Sequence, residues 1–322
     1  MRIAFLLVAL VLLGTFAPPG LQRHAPPPAV TLVRFTPVPL DEKAPGATRL
    51  GRLLFLGGWA IVSNDARLGG LSALHVAGGE ALAVSDSGWW VRFPLPGKAE
   101  WGRAEIARPD QGPGPFGDKE DRDAESLVAH GGGLWLGYER ANAIWRYDRA
   151  GLVARSSAEP AAMAKWRDNS GPEAMVRLAD GRFLVFSEGG GGDSPALLFA
   201  GDPAVPGTPS LRLAYRPPAG YRITDAALLP DGRLLLLNRR VRLFEGFSAK
   251  LTLARLPVLR EGAVISGDEI ASFVGSVTRD NLEGLSVVRE GPRTILWIAS
   301  DDNYNPLQRT LLLKFALVGA RR

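Results

Sequence analysis

The sequence contains no cysteine, which excludes disulfides, zinc-thiolate centres, cysteine nucleophiles and a lipid-modified cysteine. Histidine is nearly absent too, with only His24, His75 and His130. A multi-histidine metal centre is therefore not expected, and a metal would have to be held by oxygen, which favours Ca²⁺ or Mg²⁺. No run of like charge occurs: 38 Lys and Arg stand against 33 Asp and Glu, and the arginines are spread singly along the chain. That pattern argues against a nucleic-acid partner and for a small anionic ligand. No G-x-S-x-G elbow is present, because Gly70-Leu71-Ser72-Ala73-Leu74 and Gly246-Phe247-Ser248-Ala249-Lys250 both lack the final glycine. The glycine run Gly189 to Gly192 ends at Asp193 without the Lys-Ser/Thr of a phosphate-cradling loop and reads as a plain connection.

One long apolar run exists, Ile3 to Phe16 after the charge of Arg2. It has the layout of a secretory signal and is short for a bilayer span, which takes about 20 residues. Thr15 and Ala17 suit a cleavage site, whereas Pro18 and Pro19 would hinder it. The expectation is export to the periplasm or beyond, with membrane attachment only if the segment stays uncleaved. Residues 1–17 are thus a signal peptide or anchor, 18–34 a Pro-rich linker and 35–322 the folded domain.

Turn formers are abundant, with 38 glycines and 25 prolines among 322 residues, and this points to short strands rather than long helices. Five stretches share one plan: Ser72 to Asp86, Glu125 to Glu139, Glu173 to Glu188, Asp225 to Arg240 and Glu283 to Asp301. Each has two apolar runs around a glycine-containing turn, the pattern of a β-hairpin. Their starts are spaced by 53, 48, 52 and 58 residues, and further apolar segments follow each hairpin. About four strands in about 50 residues make a propeller blade. Dividing the domain by a blade of about 48 residues predicts an all-β, six-bladed β-propeller. Leu50 to Ser63 would supply the sixth blade, and a strand over Thr31 to Val38 would pair with the last blade to close the ring. The tryptophans, Trp89, Trp90, Trp101, Trp135, Trp145, Trp166 and Trp297, are expected mostly to fill the wedges between blades.

A hairpin brings the residue before its first strand beside the residue after its second. The first column reads Ser72, Glu125, Glu173, Asp225, Glu283, and the second Asp86, Glu139, Glu188, Arg239 or Arg240, Asp301. Eight of these are carboxylates that a propeller would gather at one mouth of its axial channel. Like charges in reduced dielectric repel and raise one another's pKa unless a cation intervenes. Bound Ca²⁺ or interleaved arginine would answer that need, and the metal-ligand candidates are Asp86, Glu125, Glu139, Glu173, Glu188, Asp225, Glu283 and Asp301. The bland alternative is that each acid bonds backbone amides of a neighbouring loop. The loop Asp110 to Asp123 adds Asp118, Glu120, Asp121 and Asp123, without EF-hand spacing, and reads as solvated surface.

Asn281-Leu282-Glu283-Gly284-Leu285, Gly171-Pro172-Glu173-Ala174 with Ala179-Asp180-Gly181-Arg182, Thr224-Asp225-Ala226-Ala227 with Pro230-Asp231-Gly232-Arg233, and Ser300-Asp301-Asp302-Asn303 with Gln308-Arg309-Thr310 occur in this order. In these motifs the sequence resembles the phytase-like family of exported bacterial proteins, also described as having esterase-like activity and distantly related to β-propeller phytases. The resemblance implies a six-bladed propeller whose acidic mouth holds calcium and receives a phosphate ester. On it, Glu125, Glu173 and Glu283 take the catalytic positions, and Arg240 or Arg309 grips the anionic substrate. The lysine and tyrosine cluster expected of a phytase is not identifiable, and Ser72 and Arg239-Arg240 interrupt the acidic ring. The leading expectation is an exported, monomeric, metal-dependent hydrolase of phosphate or related esters. A calcium-dependent lactonase and a non-catalytic envelope-binding propeller are the alternatives.

Overall fold

The structure, a computed structural model, describes residues 26–114, 120–149, 152–189 and 192–319. The expected signal segment 1–17, the first part of the linker, Asp118 and the middle of the glycine run lie outside these residues, and of Glu120 only the backbone is described. Everything described is strand, turn or loop, apart from one 3₁₀ turn at Glu120–Arg122.

The strands form five blades built on four strands each, and a short strand, Val264–Ser266, adds in parallel to the outer edge of the third. From the axis outward, blade I is Leu71–Ala77, Glu80–Ser85, Trp90–Pro94 and Trp101–Ala107. Blade II is Ala124–His130, Gly133–Tyr138, Ala143–Asp148 and Ala154–Ala158, and blade III is Pro172–Arg177, Phe183–Ser187, Ser194–Phe199 and Ser210–Arg216. Blade IV is Arg222–Leu228, Leu234–Arg242, Gly246–Ala254 and Asp268–Phe273. Blade V is Asn281–Glu290, Arg293–Asp301, Leu311–Leu317 and, out of sequence order, Leu53–Ser63. Each innermost strand lies against the next, and that of blade V lies against that of blade I, so the ring is closed.

The sixth blade expected from Leu50 to Ser63 does not exist. That segment contributes one long strand, and its edge pairs with Leu311–Leu317 to complete blade V. Thr31–Pro37 then pairs with Leu53–Ser63 on one side and Trp101–Ala107 on the other, joining the last blade to the first. The division by 48 failed because two N-terminal strands are spent on closure instead of on a hairpin of their own. The strand also begins at Thr31, inside the stretch assigned to the linker.

Blades are covered on both faces, and this is why their sequences read as unbroken apolar runs instead of alternating ones. Leu234 to Leu237 are all buried. Leu235 and Leu237 pack with Leu285 and Ile298 of blade V, while Leu234 and Leu236 face the other way, toward Ala174 and Leu184 of blade III. Trp90 meets Tyr147 of blade II with ring centroids 5.5 Å apart, and Trp135 meets Phe183 of blade III at 5.3 Å. Trp101 departs from the expectation, being exposed beneath the Arg34 guanidinium. Four of the five inner hairpins turn on paired glycines in the left-handed region, Gly78-Gly79 with φ 61° and 84° and Gly131-Gly132 with φ 56° and 81°, or on Asp-Gly turns in which the Asp180 and Asp231 carboxylates accept from Arg182 and Arg233.

Phe35 anchors the closing strand, buried beside Phe93 of blade I. Phe35→Ala is expected to cost about 3–5 kcal/mol of unfolding free energy in a denaturant titration; a loss below about 1 kcal/mol would mean that the closing strand does not hold the ring.

Candidate functional site

All five inner hairpins carry an irregularity at the same height. The register skips one residue of the inner strand at Ser72, Glu125, Glu173, Thr224 and Glu283. A bulge of this kind leaves an extra residue unpaired and re-aims its side chain. At three of the five positions that side chain is a glutamate lining an axial cavity of about 320 Å³. On the facing strand, one residue beyond the partner of the residue that precedes each bulge, stand Asp86, Glu139, Glu188, Arg239 and Asp301, and all five line the same cavity.

Two residues before the bulge lies a third ring: Gly70, Asp123, Gly171, Arg222 and Asn281. Asp123 lines the cavity, Arg222 Nη1 donates to Glu188 Oε2 at 2.8 Å, and Asn281 Nδ2 donates to Glu283 Oε1 at 2.9 Å. Where this ring has glycine, a side chain would not fit: a Cβ on Gly171 would come within 2.5 Å of the Glu139 backbone, and one on Gly70 within 2.6 Å of the Asp86 carboxylate. Asn303, from a rim loop in which it and Tyr304 hold φ of 48° and 49°, completes the lining with Asn169 and Arg140. Neither His75 nor His130 lines it. A larger cleft of about 790 Å³, between blades II and III, contains Asp121 and Glu159 but no gathering of acids.

Seven of the eight carboxylates expected at the mouth are therefore together. Asp225 is the exception. The bulge in blade IV falls on Thr224, so Asp225 is one residue out of phase: its Oδ1 accepts from Ala226 N at 2.7 Å and its Oδ2 from Leu285 N of blade V at 2.6 Å. It ties two blades together and is not a ligand candidate. The same phase places Arg239, not Arg240, in the ring. Arg240 stacks 4.6 Å over the Tyr221 ring and reaches Glu245 at 3.3 Å, while Arg309 pairs with Glu42 at 3.3 Å and donates to the Arg279 carbonyl. Neither lines the cavity. Their expected grip on substrate is withdrawn because strand alternation and the rim loops direct them elsewhere.

The cavity holds eight carboxylates and two arginines, and its charge is not evenly spread. On one side Arg239 Nη1 donates to Asn281 Oδ1 and Glu283 Oε1, both at 2.7 Å, and Nη2 to Glu188 Oε1 at 3.1 Å. Burial opposes the Arg239 charge, but Glu283, Glu188, Glu173 and Glu125 outweigh it and raise its pKa. On the other side, oxygens of Asp123, Glu125 and Glu139 lie within 4.8 Å of one another. Burial first, then Asp123, Glu173, Glu283 and Glu139, push Glu125 well above the ordinary carboxylate range. Glu173 is raised well above it by burial and by Glu139 and Glu188, and Glu139 is raised as well, by burial first and by Glu188. Asp301 is raised by burial, Glu283 and Asp86. Three clustered hard-oxygen donors suit a cation of the Ca²⁺ or Mg²⁺ type.

The sequence matches the family described as "Phytase-like: Esterase-like activity of phytase" over residues 66–304. The chain belongs to this phytase-like family. The matched region of this family member spans blades I to IV and the inner hairpin of blade V, and so contains all three rings of the cavity. Among solved structures, the chain is similar to the major allergen Mala s 1 of Malassezia sympodialis, with 10% identity over 76% of this chain and 92% of that one and a TM-score of 0.48. It is also similar to glutaminyl cyclase of Myxococcus xanthus, with 12% identity over 84% and 100% of the two chains and a TM-score of 0.47. No curated protein sequence matches it.

Raised carboxyl pKa values have a thermodynamic sign. Folded Glu125 and Glu173 hold protons above pH 4.5, where the unfolded chain has released them. The stability they contribute is complete below that value and is lost as pH rises through the raised pKa values. Acids held low by arginine, such as Asp65 at about 2 through its hydrogen bonds with Arg67, act below this window. In chelator, the melting temperature is expected to fall between about pH 5 and pH 8, and the Glu125→Gln/Glu173→Gln double variant should flatten that fall. A wild-type melting temperature that rises across the interval would contradict this electrostatic picture.

Proposed function

We propose that this phytase-like protein is a metal-dependent hydrolase of phosphate or related esters, with Ca²⁺ held by Asp123, Glu125 and Glu139 and supported by Glu173. The observation that carries the reading is the polarity of the cavity: an acid cluster on one wall and Arg239 on the other, within one space of about 320 Å³. A bound divalent ion would neutralise the acid wall and lower the pKa of a water.

The chain's own residues supply the rest. Glu139 and Glu173, neighbouring carboxyls whose pKa values burial raises, form a pair able to take up or release a proton during hydrolysis. Arg239 is fixed by Asn281, Glu283 and Glu188; these bonds use three of the five donors of a guanidinium fork, which can also address an anionic oxygen. Asp86 and Asp301 extend the ring beside Glu283. Asn169 and Asn303 offer neutral polar contacts at the lining. The apolar segment Ile3 to Phe16 supports an exported enzyme of the periplasm or exterior, and the small cavity supports a small anionic ester as its partner.

The test is release of inorganic phosphate from a panel of phosphate monoesters and diesters, with calcium added and with chelator. Wild type should turn over with calcium, chelator should abolish turnover, and Glu125→Gln and Glu173→Gln should each lower it by about a hundredfold or more. Opening of lactones without phosphate release would move the assignment to a lactonase using the same acids. Absence of both activities, with no calcium binding, would leave a non-catalytic propeller.

A further inference from the structure

We infer that the cavity-bearing face of the propeller lies against a lipid bilayer, with the hairpin tip 240–246 as its apolar contact. Blade IV departs from its neighbours in one respect. In the other blades the second strand ends at or within one residue of the level of Ser85, Tyr138, Ser187 and Ser300, where the cavity begins. In blade IV the corresponding residue is Asn238, yet the strand continues to Arg242, and its pairing runs on to Val241 with Phe247 and Arg242 with Gly246. The hairpin therefore stands proud of the rim.

Its tip is apolar. Phe244 is 87% exposed and Val241 64%, with Leu243 exposed between them. Exposed aromatic and aliphatic side chains on a projecting turn have no packing role in the ring, and insertion of such a tip into the headgroup and acyl boundary would remove them from water. The hairpin is braced and not loose: Arg240 stacks on Tyr221, and Arg279 donates from Nε to the Phe247 carbonyl at 2.6 Å. Arg279 in turn accepts at its own carbonyl from Arg309, at 3.2 Å. This links the hairpin to the rim loop in which Leu307 is 76% exposed. Apolar tips at two places on one face, with Arg242 paired to Glu245 at 3.1 Å, form the mixed polar and apolar surface that a bilayer interface accepts.

The path of the chain points the same way. Residues 1–25 lie outside the described structure and contain the apolar run Ile3 to Phe16. The chain enters the fold at the cavity-bearing end, where Thr31 Oγ1 donates to Asp65 Oδ2 at 2.9 Å and Asn64 Nδ2 to the Val30 carbonyl at 3.1 Å. From there it continues to Gly70, whose carbonyl accepts from the cavity residue Asp86. An apolar segment in the membrane, tethered by about 14 residues that reach at most about 50 Å, holds this face toward the lipid.

The absence of cysteine permits a direct test. Single cysteines are placed by Phe244→Cys, by Leu307→Cys and, as the opposite-end control, by Val258→Cys in the exposed loop beyond the far end of blade IV. Each full-length variant carries the same environment-sensitive dye and is reconstituted with phosphatidylcholine/phosphatidylglycerol vesicles. The expected result is a blue shift and quenching by bilayer nitroxides about threefold or more stronger at 244 and 307 than at 258, with matching protection from an aqueous quencher. Labels at 244 and 307 as water-exposed as the one at 258 overturn the inference and leave the tip to a protein partner.

Discussion

Five bulges at one height govern this molecule. By inserting an extra residue into each inner strand, the fold turns side chains that would otherwise enter the blade packing toward the axis. Three of those side chains are glutamates, and with the residues opposite and two positions earlier they place eight carboxylates in one small cavity. Such a gathering cannot be fully ionised without a compensating cation. Arg239 compensates one wall through Glu188 and Glu283, while burial and repulsion raise Glu125, Glu139 and Glu173 on the other. Asp123, Glu125 and Glu139 form a cluster able to bind a metal ion, and the proposed chemistry rests on that asymmetry.

Much of this was legible in the sequence because a propeller repeats its plan. The hairpin period located the inner strands, and the acidic residues at their ends lie where hairpin geometry put them, from Asp86 through Asp301. What was hidden is instructive. A bulge shifts phase by one residue without any mark in the apolar pattern, so Asp225 looked equivalent to Glu173 although Thr224 holds that place. The same one-residue ambiguity left Arg239 and Arg240 undivided. Asp123 looked like part of a solvated loop; only its alignment with Gly171 and Asn281, each two residues before a bulge, would have placed it in the cavity.

Blade number was misjudged for a different reason. Leu50 to Ser63 has two apolar runs around Gly57-Gly58, which reads as a hairpin, yet the chain runs through that pair as one continuous strand with an irregularity at Leu56, and it serves as the outer edge of a blade begun more than two hundred residues later. Closure of this kind depends on contacts remote in sequence, which no local pattern records. The same closure fixes where the N-terminal chain leaves the ring. The acidic cavity and the exposed apolar hairpin tip lie at the end of the ring where the chain enters the fold, and the inferred orientation rests on that coincidence.

The central claim, that protonated and clustered acids on one wall await a divalent ion, is tested most directly by calorimetric titration of calcium at neutral pH in two buffers of different ionisation enthalpy. The account predicts saturable binding whose measured heat differs between the buffers, because the ion displaces protons held at Glu125, Glu173 and their neighbours. No binding, or binding with the same heat in both buffers, would contradict it.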